Sequence, residues 1–137
     1  MKHNPLLFFI IVLSVSVGCS GHVGLSGKVV YSDNGEPVTI GEIQFTTPTF
    51  VARAVINPDG TFVAGSYRER DGLPPGTYEV AVVSTDENFN PLVDMKFSNP
   101  TTSGLSITID KTTRDMEFVV DRAPPPPPPM PMPPLRR

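Results

Sequence analysis

The sequence has no tryptophan, a single cysteine, Cys19, and only two histidines, His3 and His22. A lone cysteine excludes an internal disulfide, so the stability of the folded chain must come from burial. Both histidines lie near the N-terminus, which leaves no Cys–His or His–His spacing for zinc. It also leaves the rest of the chain without a histidine base for a serine nucleophile. The sequence therefore predicts a protein without catalytic residues, metal ligands or a cofactor.

Positive charge is also scarce. The chain has 11 Lys and Arg residues against 14 Asp and Glu residues, and a formal net charge of −3. A surface that binds phosphate backbones needs clustered positive charge, so we expect no nucleic-acid partner.

The N-terminus carries the pattern of a secretory signal. Met1-Lys2-His3 is a short positive start, and Leu6 to Val17 form an apolar run of 12 residues. Such a run is typical of a signal peptide and is shorter than the ~20 residues of a spanning helix. Gly18 and Cys19 follow it.

This segment resembles the lipobox of bacterial lipoproteins. The resemblance implies cleavage between Gly18 and Cys19, which makes residues 1–18 the signal peptide and residues 19–22 a lipidated tether. Cys19 would then carry the acyl chains that hold the protein to a membrane. Ser16 occupies a position where the family usually has an aliphatic residue, so ordinary secretion with cleavage nearby and an uncleaved anchor remain alternatives.

Residues 23–121 alternate between apolar and polar side chains with period two, as half-buried strands do. Without residues 1–18 the chain has 119 residues, which is enough for one core. Clusters of Gly, Pro, Asn and Asp separate the alternating segments and indicate turns. The predicted strands are 23–31, 42–46, 50–56, 61–64, 77–84, 105–110 and 116–121. This pattern favours a β-sandwich.

Three motifs in this order resemble those of carboxypeptidase regulatory-like domains. They are Leu25-Ser26-Gly27-Lys28-Val29, Asn57-Pro58-Asp59-Gly60-Thr61-Phe62 and Leu73-Pro74-Pro75-Gly76-Thr77-Tyr78-Glu79-Val80. A fourth stretch, 96–105, is similar to a loop of short bacterial envelope lipoproteins. The resemblance implies an all-β fold over residues 23–121, a seven-stranded transthyretin-like Greek-key sandwich.

The connection from Thr85 to Ser103 has no clear pattern, and connections of this length are often functional. Its oxygen-bearing side chains suggest calcium as one alternative, although their spacing matches no regular calcium loop. These residues are Asp86, Glu87, Asn88, Asn90 and Asp94. Sugar binding is another alternative, with Phe89 and Phe97 as the aromatic candidates.

Residues 122–137 form a proline-rich tail that we predict to be disordered. Proline lacks an amide donor and favours an extended polyproline II helix, so the tail cannot join a sheet. One interpretation is a semi-rigid spacer, and the other is a ligand for an aromatic groove or an envelope polymer. The candidate ligand residues are Pro124, Pro125, Pro126, Pro127, Pro128 and Pro129.

These observations predict a non-catalytic envelope lipoprotein that acts as a binding or structural module outside the cytoplasm. Its partners would be the membrane, through the lipid at Cys19, and an unknown envelope protein or polymer. The alternative is an accessory subunit of a secreted-protein or peptidase system that docks through a free strand edge. An enzyme is the third hypothesis.

Overall fold

The computed structural model describes residues 21–65 and 71–133. These residues are mostly β, which confirms the all-β prediction. In chain order the strands are β1 (Leu25–Tyr31), β2 (Glu42–Thr47), β3 (Phe50–Val55), β4 (Thr61–Val63), β5 (Gly76–Val83), β6 (Leu105–Ile109) and β7 (Thr113–Val120). Within the same residues the only helical segment is a 3-10 turn, Met95–Ser98.

The strands form two sheets that share one core. One sheet has the order β4-β1-β7 and the other has the order β3-β2-β5-β6. Three buried phenylalanines join the sheets: the ring of Phe45 lies 5.8 Å from that of Phe62 and 6.2 Å from that of Phe118. The predicted sandwich character is therefore present, with the inward rows of both sheets forming the core.

β1 and β7 are neighbours and run parallel, with Tyr31 opposite Val120 at their common end. Two parallel neighbours begin at one end of a sheet and finish at the other. The chain therefore enters β1 at one end of the sandwich and leaves β7 at the opposite end. We call these ends the entry pole and the exit pole.

The structure contains both turns that the motifs at 57–62 and 73–80 predict. In the first, Asp59 accepts hydrogen bonds from the backbone N–H and the hydroxyl of Thr61, and Gly60 has φ +83°. In the second, the buried ring of Tyr78 directs its hydroxyl to the carbonyl of Pro74, at 2.6 Å. Burial raises the pKa of the Tyr78 hydroxyl.

The alternation in β1 departs from the sequence prediction at Val30. Period-two alternation from the inward-facing Val29 and Tyr31 predicts that Val30 faces solvent, but Val30 is buried. Val30 pairs with Val119 of β7 on one side and forms a bridge to Pro37 on the other. Other segments of the chain therefore lie along both sides of β1 at this residue. Period-two reasoning cannot anticipate such a cover because Pro37 belongs to the following loop.

The connection after β5 is held to the body. Thr85 bridges to Pro91, and Leu92 donates to the carbonyl of Ser84 at 2.9 Å. Phe97, in the 3-10 turn, is buried in the core. Its proposed role as an exposed sugar platform is therefore wrong: this ring stabilises the fold.

Candidate functional site at the exit pole

The predicted cleavage and lipidation residues, Gly18 and Cys19, lie outside the described residues. Among the residues that are described, no helix combines the length and apolar character needed to cross a membrane. The proline-rich tail, in contrast, is described as far as Pro133, so its attachment to the body can be examined.

The tail begins from a fixed position at the exit pole. The short segment 121–123 runs beside 92–94: Asp94 donates its N–H to the carbonyl of Asp121 at 2.9 Å, and Ala123 donates to Leu92 at 3.0 Å. Val93 and Arg122 face each other in the resulting antiparallel bridge. The backbone is therefore paired up to the residue before Pro124.

Arg122 links this segment to β1 and to the loop that follows it. Its guanidinium carbon lies 3.8 Å from the centroid of the Tyr31 ring, a cation–π distance. Its Nε donates to Oδ2 of Asp33 at 2.9 Å, and Nη2 lies 3.6 Å from Oε2 of Glu36. Three separate groups thus hold one planar side chain.

The charges in this cluster shift one another's titration. The hydrogen bond from Arg122 lowers the pKa of the Asp33 carboxyl, and the same bond raises the pKa of Arg122. Burial raises the pKa of the Tyr31 hydroxyl, and the nearby guanidinium opposes that shift. The ion pairs are exposed to solvent, so their role is to position Arg122 more than to add stability.

A second ion pair lies on the other side of the tail root. Lys96 pairs with Oδ2 of Asp121, and Ser32 donates its hydroxyl to Oδ1 at 2.7 Å. Both bonds lower the pKa of Asp121, and the carboxylate raises the pKa of Lys96. The 3-10 turn that carries Lys96 is capped by Asp94, whose carboxylate accepts from the Lys96 N–H. We call Tyr31, Asp33, Lys96, Asp121 and Arg122 the tail clamp.

Beyond the clamp the tail is open to solvent. The candidate ligand residues Pro124 to Pro129 are all exposed, and Met130 and Met132 are 90% and 92% exposed. From Pro124 to Pro133 the chain forms neither helix nor strand. Apolar side chains displayed in this way are accessible to a partner.

The candidate calcium residues do not come together as a site. Asp86 uses its carboxylate to close its own turn: Oδ1 accepts from the N–H groups of Asn88 and Asn90, and Oδ2 accepts from the Asn90 amide. These bonds lower the pKa of Asp86. Within 21–65 and 71–133 no group of three or more His, Cys, Asp or Glu side chains is arranged to hold a metal ion.

Phe89 lies at the tip of this turn and is 86% exposed, with φ +62°. The left-handed region is uncommon for a bulky residue, and the Asp86 hydrogen bonds hold it there. Of the two aromatic residues considered for sugar binding, only Phe89 is accessible.

A groove is lined by residues of β1, β4 and β7, the three strands of the smaller sheet. Its volume is about 380 Å³, and Gly27, Lys28 and Met116 are among its lining residues. Asp115 and Glu117 also line it, with no histidine or cysteine. The groove is mixed in charge and offers no nucleophile–base pair.

Sequence reasoning missed the tail clamp. Asp33 and Arg122 are 89 residues apart, as are Ser32 and Asp121, and no local pattern links them. The turn residues after β1 indicated a loop but not its partner. Only the parallel pairing of β1 with β7 brings the two segments together.

Comparison with known proteins adds nothing to these observations, because no protein-family model, curated protein or solved structure matches the chain.

Proposed function

We propose that this chain is a non-catalytic, lipid-anchored envelope protein whose β-sandwich displays the proline-rich tail away from the membrane. The fold we propose is the seven-stranded, transthyretin-like Greek-key sandwich of carboxypeptidase regulatory-like domains. The motif order at Leu25, Asn57 and Leu73 and the two-sheet arrangement support it.

The parallel pairing of β1 with β7 is the observation that carries this proposal. With the lipid at Cys19, the entry pole faces the membrane and the exit pole faces away from it. The seven residues of β1 span ~23 Å at about 3.3 Å per residue. In a polyproline II conformation, at about 3.1 Å per residue, the 11 residues from Ala123 to Pro133 add up to ~34 Å. The tail then extends outward from the anchored domain.

The tail clamp supports the display role. A ligand whose root is held loses less conformational freedom on binding than a freely swinging one, so pairing up to Ala123 favours binding. Proline-rich segments bind aromatic-lined grooves for the same reason, since their backbone is already extended. Anchoring adds a high effective concentration at the surface, which strengthens weak contacts.

Two variants of the full chain test the proposal in envelope extracts. Cys19→Ser should abolish acylation and release the chain from membranes. Deletion of residues 124–137 should leave acylation intact and abolish recovery of the partner in a pull-down. Unchanged membrane retention of Cys19→Ser would refute the anchor, and unchanged recovery without the tail would refute the display role.

A further inference from the structure

The two sheets have four edge strands, and three of them are protected against pairing. β4 has only three residues. β3 is covered at Arg53, whose N–H reaches the carbonyl of Gly65 at 3.4 Å. β7 carries Arg114, Asp115 and Glu117, and its register shifts where Asp115 has φ +58°. Short length, cover, charge and irregularity are the usual ways in which proteins prevent strand addition.

β6 has none of these protections apart from a modest length of five residues. Its sequence, Leu105-Ser106-Ile107-Thr108-Ile109, contains no charge, proline or glycine. It pairs with β5 in an unbroken register from Gly76–Ile109 to Val80–Leu105. On its other side no strand of the described residues pairs with it. A regular, uncharged edge of this kind presents backbone groups to an incoming strand.

We propose that β6 is a docking edge for an extended segment of another polypeptide, which adds to the four-stranded sheet as a fifth strand. This goes beyond the proposed function, because the segment binds at β6 and not at the tail, and only the orientation step below rests on the anchor at Cys19. The main-chain hydrogen bonds of the added strand provide affinity, and the alternating side chains provide selectivity.

The two faces of β6 specify the side chains of the partner. The inward row, Leu105, Ile107 and Ile109, continues the core, so alternate partner residues must be apolar. On the outer face the hydroxyls of Thr77 and Thr108 pair at 2.9 Å, and Ser106 is exposed beside them. Small hydroxyl or other small polar residues fit there. The partner segment therefore alternates apolar and small polar residues and lacks proline, which excludes the protein's own tail.

A second copy of this chain fits the edge less well than a foreign segment. In an antiparallel dimer the β6 strands of two copies would pair with Ile107 opposite Ile107. The strands of the two copies then run in opposite directions, so the two entry poles lie at opposite ends of the dimer. Two chains anchored by lipid in one membrane cannot both adopt that arrangement. An extended segment of another protein has no such restriction.

The probe is a synthetic peptide with the sequence of residues 104–111. When this peptide pairs antiparallel with β6, its apolar residues lie beside the inward row of β6 and its hydroxyl residues lie beside the outward row. Full chain carrying Cys19→Ser should bind the fluorescent peptide, measured by anisotropy. A peptide with Ile107→Pro should bind about tenfold more weakly, because proline removes a ladder donor. Loss of the anchor or of residues 124–137 should leave peptide binding unchanged. The test of β6 can therefore fail or succeed independently of the test of the proposed function.

Disulfide trapping locates the peptide. Ser106→Cys in the chain should cross-link to a peptide carrying Thr108→Cys, since these positions are opposite each other in the register. Thr77→Cys is the matched control, because it lies on the same face but one strand in from the edge. Absent binding, or equal cross-linking of the two variants, would overturn the proposal. Dimerisation of the unmodified chain that the peptide inhibits would replace the foreign segment with a second copy.

Discussion

The guanidinium of Arg122 stacks on the ring of Tyr31 at 3.8 Å and joins the last residues before the proline-rich tail to the end of the first strand. The two residues are far apart in sequence, yet they lie together because β1 and β7 are parallel neighbours. This contact sets where the tail begins relative to the N-terminal anchor that we propose.

We expect Arg122→Ala to loosen the tail root with little change in the melting temperature. The variant removes the Tyr31 stacking and the Asp33 ion pair, but exposed ion pairs contribute little to global stability. Faster hydrogen exchange and lower order parameters at Ala123 would show the effect. Arg114→Ala is the control, an arginine on the same final strand with no ion pair among the described residues. Equal exchange at Ala123 in both variants would contradict the positioning role.

The tail clamp should weaken in acid. Arg122 lowers the pKa of Asp33 and Lys96 lowers that of Asp121, so these carboxyls are more acidic in the folded chain than in the unfolded chain. Their contribution to stability is therefore complete above the ordinary carboxyl pKa, near 4, and is lost as the pH falls through the lowered folded values.

Thermal unfolding followed between pH 7 and pH 2 measures this contribution. Asp33→Asn should reduce the acid dependence of the melting temperature, because the substituted side chain no longer takes up a proton. Asp110→Asn, at an exposed carboxylate without a hydrogen bond in the described part of the chain, is the control. If Asp33→Asn and Asp110→Asn changed the acid dependence of the melting temperature equally, Asp33 would not be the group responsible for it.

Gly27→Ala should destabilise the sandwich by about 1–3 kcal/mol, the usual cost of overpacking. A Cβ at Gly27 would overlap the backbone carbonyl of Met116, the residue opposite it in β7. Gly76→Ala is the matched control, because its added Cβ would meet only the Tyr78 ring, at 3.9 Å. Denaturant unfolding of both variants gives the difference, and equal midpoints would contradict the close approach.

Phe62→Ala should cost about 3–5 kcal/mol of unfolding free energy, as expected for a buried aromatic residue. Phe62 is fully buried, and its ring lies 5.8 Å from that of Phe45 and 6.0 Å from that of Phe118. Phe89→Ala removes the same side chain from an exposed turn and should leave stability within about 0.5 kcal/mol. A large loss for Phe89→Ala would mean that its ring packs against the fold.

The sequence contained enough information to place most strands within two or three residues. Period-two alternation in 77–84 and 105–110 is confirmed as β5 and β6, because residues that alternate in polarity bury one face of a strand whatever its neighbours are. The turn at Asn57–Gly60 is confirmed for a similar reason, since Asp59 and Gly60 act on their own backbone.

The sites were much less predictable. The oxygen-rich residues after β5 suggested calcium, but Asp86 uses its carboxylate within the turn. Phe97 suggested an exposed platform, but it is buried in the core. In both cases the local sequence showed which groups were present and not which neighbours they would meet.

The sequence by itself determined the all-β class, the turns and the proline-rich character of the tail, and it predicts a lipid anchor at Cys19. Each depends on the local preferences of nearby residues. The tertiary structure alone decided that β1 and β7 run parallel, that the tail clamp assembles at the exit pole and that β6 is the least protected edge. Those features depend on contacts between residues far apart in the chain, which only the packing of the two sheets brings together.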